Sequence, residues 1–254
     1  MPGISGLALI ERARQLPHRR QTPIIVFSAS PLEREALAAG ADAFLRKPED
    51  VVHLVATVER LIAGQRDADA RHTPAPEIET ERLRLRPFRP DDLDDLARLL
   101  GDSEVMKFLG VKAGRTYSRD ETAEILQHAI DGWHKRGYSR WAVIHQESDQ
   151  FIGLCGLKTL EGAPELIYAL AQSYWGQGLA AEAATASLRF AFEELKLDRV
   201  VAVTRHANLA SQRVMQRIGM SYEEEVRHFG VDVVRYVITR PEFHPAAAFY
   251  LLRR

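Results

Sequence analysis

Apolar and polar positions along the chain fall into two patterned stretches separated by a polar joint. In the first, "PIIVF", Pro23 to Phe27, is a continuous apolar run of strand length, suited to burial on both faces. "SPLE", Ser30 to Glu33, has the capping-box form, with Pro31 at the first helical position and Gly40 where the helix would stop. "AFLRKP" predicts a second short strand ending at Pro48. "VVHLVATVERLIAG" then spaces Val51, Leu54, Val55, Val58 and Leu61 as one helical face. The predicted order strand, helix, strand, helix is that of an α/β unit.

Periodicity stops near Gly64, where Pro74 and Pro76 interrupt a polar run, and a linker is expected over residues 65–78. Beyond it, "ERLRLRPF" alternates Leu83 and Leu85 with Arg82, Arg84 and Arg86, predicting a half-buried strand with one solvated basic face. "RPDDLDDLARLL" predicts a helix entered at Pro90, and "ETAEILQHAIDGWHKRG" a longer one ending near Gly137. "WAVIH" and "FIGLCGL", joined by "QESDQ", read as an antiparallel hairpin. A strand "LIYALAQ", a helix "AAEAATASLRFAFEELKL", a strand "RVVAVT" and a helix running from Asn208 to Gly219 follow.

The chain has 254 residues, 46% of them hydrophobic and 27% charged, enough for one large domain or two small ones. Lys+Arg 34 against Asp+Glu 35 gives a net charge of -1, so no bulk basic field would draw it to nucleic acid or an anionic membrane. No apolar run suggests a membrane span or leader, and a cytoplasmic protein without nucleic-acid or membrane partners is expected. The single cysteine, Cys155, lies in a strand-like run and reads as a small core residue.

The chemistry concentrates in "SYWGQGLAAEA", Ser173 to Ala183. A strand entering a glycine-rich turn at a helix N-terminus aims several backbone N–H groups at one spot, where the helix dipole is positive. Gly176, Gly178 and Ala180 keep side-chain bulk away, so a diphosphate fits there, although a plain tight turn has the same pattern.

Two resemblances sharpen this picture. "MPGISG", "PIIVFSAS", "AGADAFLRKP" and the amphipathic segment after them resemble, over residues 1–64, the second half of a response-regulator receiver domain. Ser28 and Lys47 stand at that family's switch Ser/Thr and essential Lys. The family's phospho-accepting Asp and metal-binding acidic pair would precede Met1, so a phosphorelay remnant is expected and not a working phosphorylation site. A late gene start, a half-domain completed by a partner chain or by the second domain, and a disordered remnant are the three readings open. A homodimer through this half is the expectation the resemblance carries.

"ERLRLRPF", "YWGQGLAAEA", the N-x-x-S-x-R-V-M-x-x-I-G-M run from Asn208 to Met220 and "FGVDVVRYVITRPEF" resemble, in order, a GNAT-superfamily acyl-CoA N-acyltransferase. More narrowly they are similar to the branch containing the ribosomal-protein N-terminal acetyltransferases. That resemblance implies a domain over 79–243 with a tail at 244–254. Its fold would be α/β: a mixed, mainly antiparallel sheet, splayed between two parallel strands and flanked by helices. Acetyl-CoA would be the cosubstrate, with no metal, and the acceptor an amine, either a small molecule or a protein N-terminus. The backbone of Trp175, Gly176, Gln177, Gly178, Leu179 and Ala180 would cradle the pyrophosphate. Asn208 would bond the pantetheine or cap its helix, Ser211 would lie near the sulfur, and a strand N–H would polarise the thioester carbonyl.

Many GNAT branches place a Tyr seven residues after this Asn as general acid; here Met215 stands there, leaving the role to Ser211 or solvent. Glu165 is the candidate base, or else a surface carboxylate in the turn "EGAPE"; His206, His134 and His145 are weaker choices. The rival from another class is a non-catalytic acetyl-CoA-binding or two-component signalling module. A DNA-binding response regulator is disfavoured by the near-neutral charge and the lack of a helix-turn-helix after the linker.

Overall fold

The apolar run of the first stretch forms Ile25–Ser28 (β1), which pairs in parallel with Ala43–Arg46 (β2) in a two-stranded sheet. The structure, a computed structural model, describes residues 6–16, 22–55, 57–58, 75–109, 114–228, 230–245 and 248–253. It divides into two compact units, Met1–His72 and Thr73–Arg254.

In the first unit a helix that the periodicity had not indicated, Gly6–Gln15 (α1), precedes β1, and Glu33–Ala38 (α2) lies between the strands. Ile10, Ala36 and Ala41 form its small core. Arg14 ties α1 to the turn before β2, with Nε donating to the Gly40 carbonyl at 2.8 Å and Nη2 2.5 Å from Asp42 Oδ2. The expected capping box does not form: Leu32 occupies the N-cap without a side-chain bond, and the Ser30 amide donates to Ser28 Oγ instead. After β2 a 3-10 turn spans Glu49–His53, and Val55 and Val58 are exposed, so this part of the expected apolar stripe faces water. Ser28 and Lys47 are neighbours, the Lys47 amide donating to the Ser28 carbonyl at 3.1 Å. Residues 1–5 of the "MPGISG" run and Leu61 lie outside the described residues.

The second unit is a nine-stranded sheet. Its strands are Glu77–Thr80 (β3), Leu83–Pro87 (β4), Arg140–His145 (β5), Gln150–Leu160 (β6), Ala163–Leu170 (β7), Arg199–Arg205 (β8), Ser221–His228 (β9), Val231–Thr239 (β10) and Tyr250–Arg253 (β11). Their order is β11-β3-β4-β5-β6-β7-β8-β10-β9, antiparallel throughout except for β7 beside β8. Its longer helices are Leu93–Leu100 (α3), Arg119–Arg136 (α4), Leu179–Arg189 (α5) and Leu209–Arg217 (α6). Side-chain alternation divides the core between the two faces of the sheet. Trp141 and Val143 of β5 join the cluster that includes α5, whereas Ala142 and Ile144 join the one with α3. Among the described residues no helix is long and apolar enough to cross a membrane.

Four expectations change. Glu77 and Ile78, read as linker, are strand residues of β3. The "tail" is strand β11, paired with β3, and its Tyr250 and Leu252 pack on the core while Phe249 and Leu251 are exposed. The basic face of β4 is not wholly solvated, because Arg86 forms a bidentate pair with the buried Asp92 at 2.8 and 2.6 Å. The helix after the glycine loop leaves α geometry at Arg189 and widens into a π-turn over Phe190–Glu194, the Leu195 amide reaching back to the Phe190 carbonyl.

Candidate active site

The parallel strands β7 and β8 meet at a single register pair, Glu165 with Val201. Toward their C-terminal ends they part, and a cleft of about 740 Å³ occupies the gap. The Ala171 amide donates to the Ile152 carbonyl of β6 at 2.8 Å, so by alternation the N–H groups of Tyr168 and Leu170 point the other way, into the splay. A bare strand edge facing a cleft is what an extended, amide-bearing ligand can pair with.

At the open end of the splay the chain turns through the glycine loop into α5. Gly176 and Gly178 have φ of 74° and 81°, left-handed values that glycine adopts without penalty. A Cβ on Gly176 would meet nothing within 4 Å; one on Gly178 would meet only Arg82 Nη2 at 3.7 Å and Arg217 Nη1 at 3.8 Å. Gly178 is the N-cap of α5 and offers no side-chain acceptor, so the first amides of the helix lack a cap. Uncapped amides, open space and two guanidinium groups make a cradle for a diphosphate. Thr80 and Glu182 set Arg82: its amide and Nε donate to Glu182 at 2.9 and 2.8 Å, and Nη1 reaches the Gln177 carbonyl at 3.0 Å.

Of the expected cradle residues, Trp175, Gly176, Gly178, Leu179 and Ala180 line the cleft, as does Asn208. Gln177 does not: its side chain folds back to the Ser173 carbonyl at 2.9 Å. Trp175 is anchored through Nε1 to the Leu170 carbonyl at 2.7 Å. Asn208 caps α6, its Oδ1 accepting from the Ser211 amide at 3.1 Å.

Ser211 is paired with a residue the sequence reading passed over. The Tyr168 hydroxyl lies 2.9 Å from Ser211 Oγ and 3.1 Å from the Ser211 carbonyl. Burial pushes the Tyr168 hydroxyl well above its ordinary value, so it stays protonated. Met215, where other branches carry Tyr, is buried. Cys155 is fully buried; burial pushes its thiol up to about 12 against the opposing hydrogen bond to Ser187 and leaves it inert as a nucleophile.

Glu165 is not a turn carboxylate. It sits within β7, only 3% exposed, and lines the cleft with Lys158 Nζ 3.1 Å from its Oε2. Burial raises its carboxyl against the opposing pull of Lys158, His228 and Arg140. His134, His145 and His206 do not line the cleft, but His228, at the end of β9, does. Arg213 and Arg217, one turn apart on α6, also line it and were legible only as an i, i+4 basic pair.

Residues 82–221 match the family model of the acetyltransferase (GNAT) domain. The chain is 27% identical over 173 residues to the uncharacterized N-acetyltransferase p20 of Bacillus licheniformis, covering 65% of this chain and 96% of that protein. It is 30% identical over 187 residues to the FsC-acetyl coenzyme A-N(2)-transacetylase of Aspergillus fumigatus, covering 66% and 78%. A solved acetyltransferase from Agrobacterium tumefaciens superposes with a TM-score of 0.58 at 28% identity, covering 66% of this chain and 96% of that one. RimL, a ribosomal L7/L12 alpha-N-protein acetyltransferase solved with coenzyme A, shares the fold with a TM-score of 0.54 at 22% identity, covering 63% and 95%. A further similarity, 30% identity over 132 residues, is to the phosphate regulon transcriptional regulatory protein PhoB of Rhizobium meliloti, covering 48% of this chain and 54% of that protein. Since the domain match takes in more than half of the 254 residues, the chain belongs to the GNAT family of acetyltransferases and is an acyl-CoA-dependent N-acetyltransferase.

Proposed function

We propose that the protein transfers the acetyl group of acetyl-CoA to a primary amine, on a protein N-terminus or a small molecule, by direct attack of the amine on the thioester. The observation that carries this reading is the splay between β7 and β8, which runs from an uncapped helix N-terminus to a buried carboxylate. Acetyl-CoA supplies an already activated acyl group, so the protein contributes mainly positioning and stabilisation of charge.

In this reading the backbone from Trp175 to Ala180 holds the pyrophosphate, with Arg82 and Arg217 beside it. The pantetheine lies along β7, and the Tyr168 or Leu170 amide polarises the thioester carbonyl. Asn208 keeps Ser211 in place. Tyr168 has one hydroxyl proton; when it donates that proton to Ser211 Oγ, the serine proton is free for the departing thiolate. Glu165 supplies negative charge on the acceptor side. The motifs from Asn208 to Met220 support the branch of the ribosomal-protein N-terminal acetyltransferases.

We read the first unit as receiver-derived. Its parallel strands around α2 and the Ser28–Lys47 neighbourhood support this. Exposed Leu32, Leu37, Val55 and Val58 support a homodimer through that unit.

The test is release of free CoA thiol from acetyl-CoA, with spermidine, a serine-led hexapeptide and an alanine-led hexapeptide as acceptors. Release stimulated by an amine supports the transferase. A folded protein that binds acetyl-CoA and turns over with none of them favours the binding or signalling module.

A further inference from the structure

The cleft contains a buried histidine that the reading above leaves idle. His228 closes β9 with its side chain 8% exposed. Its Nδ1 lies 3.0 Å from Glu161 Oε1, while Nε2 is buried and has no hydrogen-bond partner. An ionised carboxylate can only accept, so Nδ1 carries the hydrogen and the free lone pair of the neutral ring is on Nε2. A buried nitrogen without a partner is costly to maintain, and a ligand N–H would relieve that cost.

The chain works to place Glu161. Glu161 and Gly162 are the two residues between β6 and β7, with Leu160 opposite Ala163, and both have left-handed φ, 49° and 84°. That is the type I′ hairpin turn, in which Asn, Asp or Gly is the usual occupant of the first position. Glu161 adopts the unfavourable conformation with its carboxyl 67% exposed and bonded to His228. The pair thus has one end in water and the other in the cleft.

Glu165, the expected base, is less suited to take a proton. Its Oε2, like His228 Nε2, is buried without a hydrogen bond, but it lies 3.1 Å from the Lys158 ammonium, whose charge favours the ionised carboxylate over the protonated one. The charged groups around His228 are Glu161 in the turn, Lys158 on β6, Glu165 on β7, Arg199 on β8 and Arg235 on β10.

We propose that His228 is the proton acceptor of the transfer and Glu161 its positioning residue, an inference that rests on the amine-acetyltransferase reading. The acceptor ammonium gives one proton to His228 Nε2, and the freed lone pair forms the C–N bond as the C–S bond breaks. The departing thiolate takes a proton from Ser211. The amide nitrogen loses its remaining extra proton to solvent, the Ser211–Tyr168 pair regains one from it, and the imidazolium, stabilised by Glu161, discharges there as well.

Two measurements test this. Long-range 15N–1H spectra of the imidazole need no acceptor: in the wild type the neutral ring should be the Nδ1–H tautomer. An Nε2–H tautomer overturns the proposal. With the serine-led hexapeptide and spermidine as probe amines, His228→Gln should lower kcat/KM about 10²-fold or more and abolish its acid limb. Acetyl-CoA affinity, read by calorimetry, should stay within twofold. Glu161→Gln, at an exposed position, should move the acid limb without loss of fold. A wild-type pH profile in either variant overturns the assignment. If the wild type binds acetyl-CoA but acetylates neither probe, the transferase reading fails separately and the tautomer still decides whether the pair is built as described.

Discussion

Glu165 and Val201 form the single register pair between β7 and β8, and Glu165 stands where the cleft begins. Above this pair the strands part; at it, a carboxylate is only 3% exposed. The hinge of the sheet and a buried carboxylate of the cleft are therefore one residue. Burial raises the Glu165 carboxyl, so its contribution to stability is full below the unfolded value, about 4.3, and is lost as pH rises through the folded value. Glu165→Gln should raise Tm at pH 8 and lose most of that advantage at pH 4. Equal gains at both would contradict the assignment.

Asp92 has the opposite sign. Burial alone would raise its carboxyl, but the bonds from Arg86 and the Arg89 amide outweigh it and hold it below the ordinary value. Its stabilisation is present above about 3.9 and lost as pH falls through the depressed value. Asp92→Ala leaves the mostly buried Arg86 guanidinium without its carboxylate, with only the Pro87 carbonyl bond in its place, and should cost about 3 kcal/mol at pH 7 by urea unfolding. A cost below 1 kcal/mol would show the pair to be solvated.

The hydroxyl pair makes a kinetic prediction. Ser211→Ala should lower kcat by about 10²-fold and Tyr168→Phe by about 10-fold, with acetyl-CoA affinity held within twofold. Because one proton path is removed in either case, the double variant should be no slower than Ser211→Ala. Additive losses would separate the two residues.

Ending the chain at Pro245 removes β11, with Tyr250 beneath Arg189 at 4.1 Å and Leu252 on the core. The expected loss is about 2–4 kcal/mol of stability. Acetyl-CoA affinity should not change, since β11 lies at the sheet edge remote from the splay. Lost affinity in a folded truncation would mean that the edge strand shapes the cleft.

The helices and most strands were legible because their apolar spacing is local. Ser118 with Glu121 and the left-handed Gly137 bound α4 much as its sequence implies. The glycine loop was legible for the same reason: its chemistry is backbone chemistry at one turn. What escaped notice were relationships across the sheet. Tyr168 meets Ser211 from 43 positions away and Glu161 meets His228 from 67, distances at which no periodicity operates. Strands β3 and β11 are four residues long, too short to show alternation, and they are held by pairing, β11 with β3 and β3 also with β4. Glu165 looked like a turn residue because Pro164 and Gly162 precede it, yet the turn closes at Leu160 and Ala163.

The measurement to make first is acetyl-CoA binding by calorimetry to the wild type, Gly178→Glu and Gly137→Glu. Gly137 shares the left-handed backbone, with φ of 73° and nothing within 4 Å of a Cβ, but does not line the cleft. It therefore controls for strain and added charge. Binding by the wild type and Gly137→Glu, with loss of at least tenfold in a folded Gly178→Glu, is the expected result. Undiminished binding by Gly178→Glu, or none by the folded wild type, would contradict the pyrophosphate cradle and the chemistry built on it.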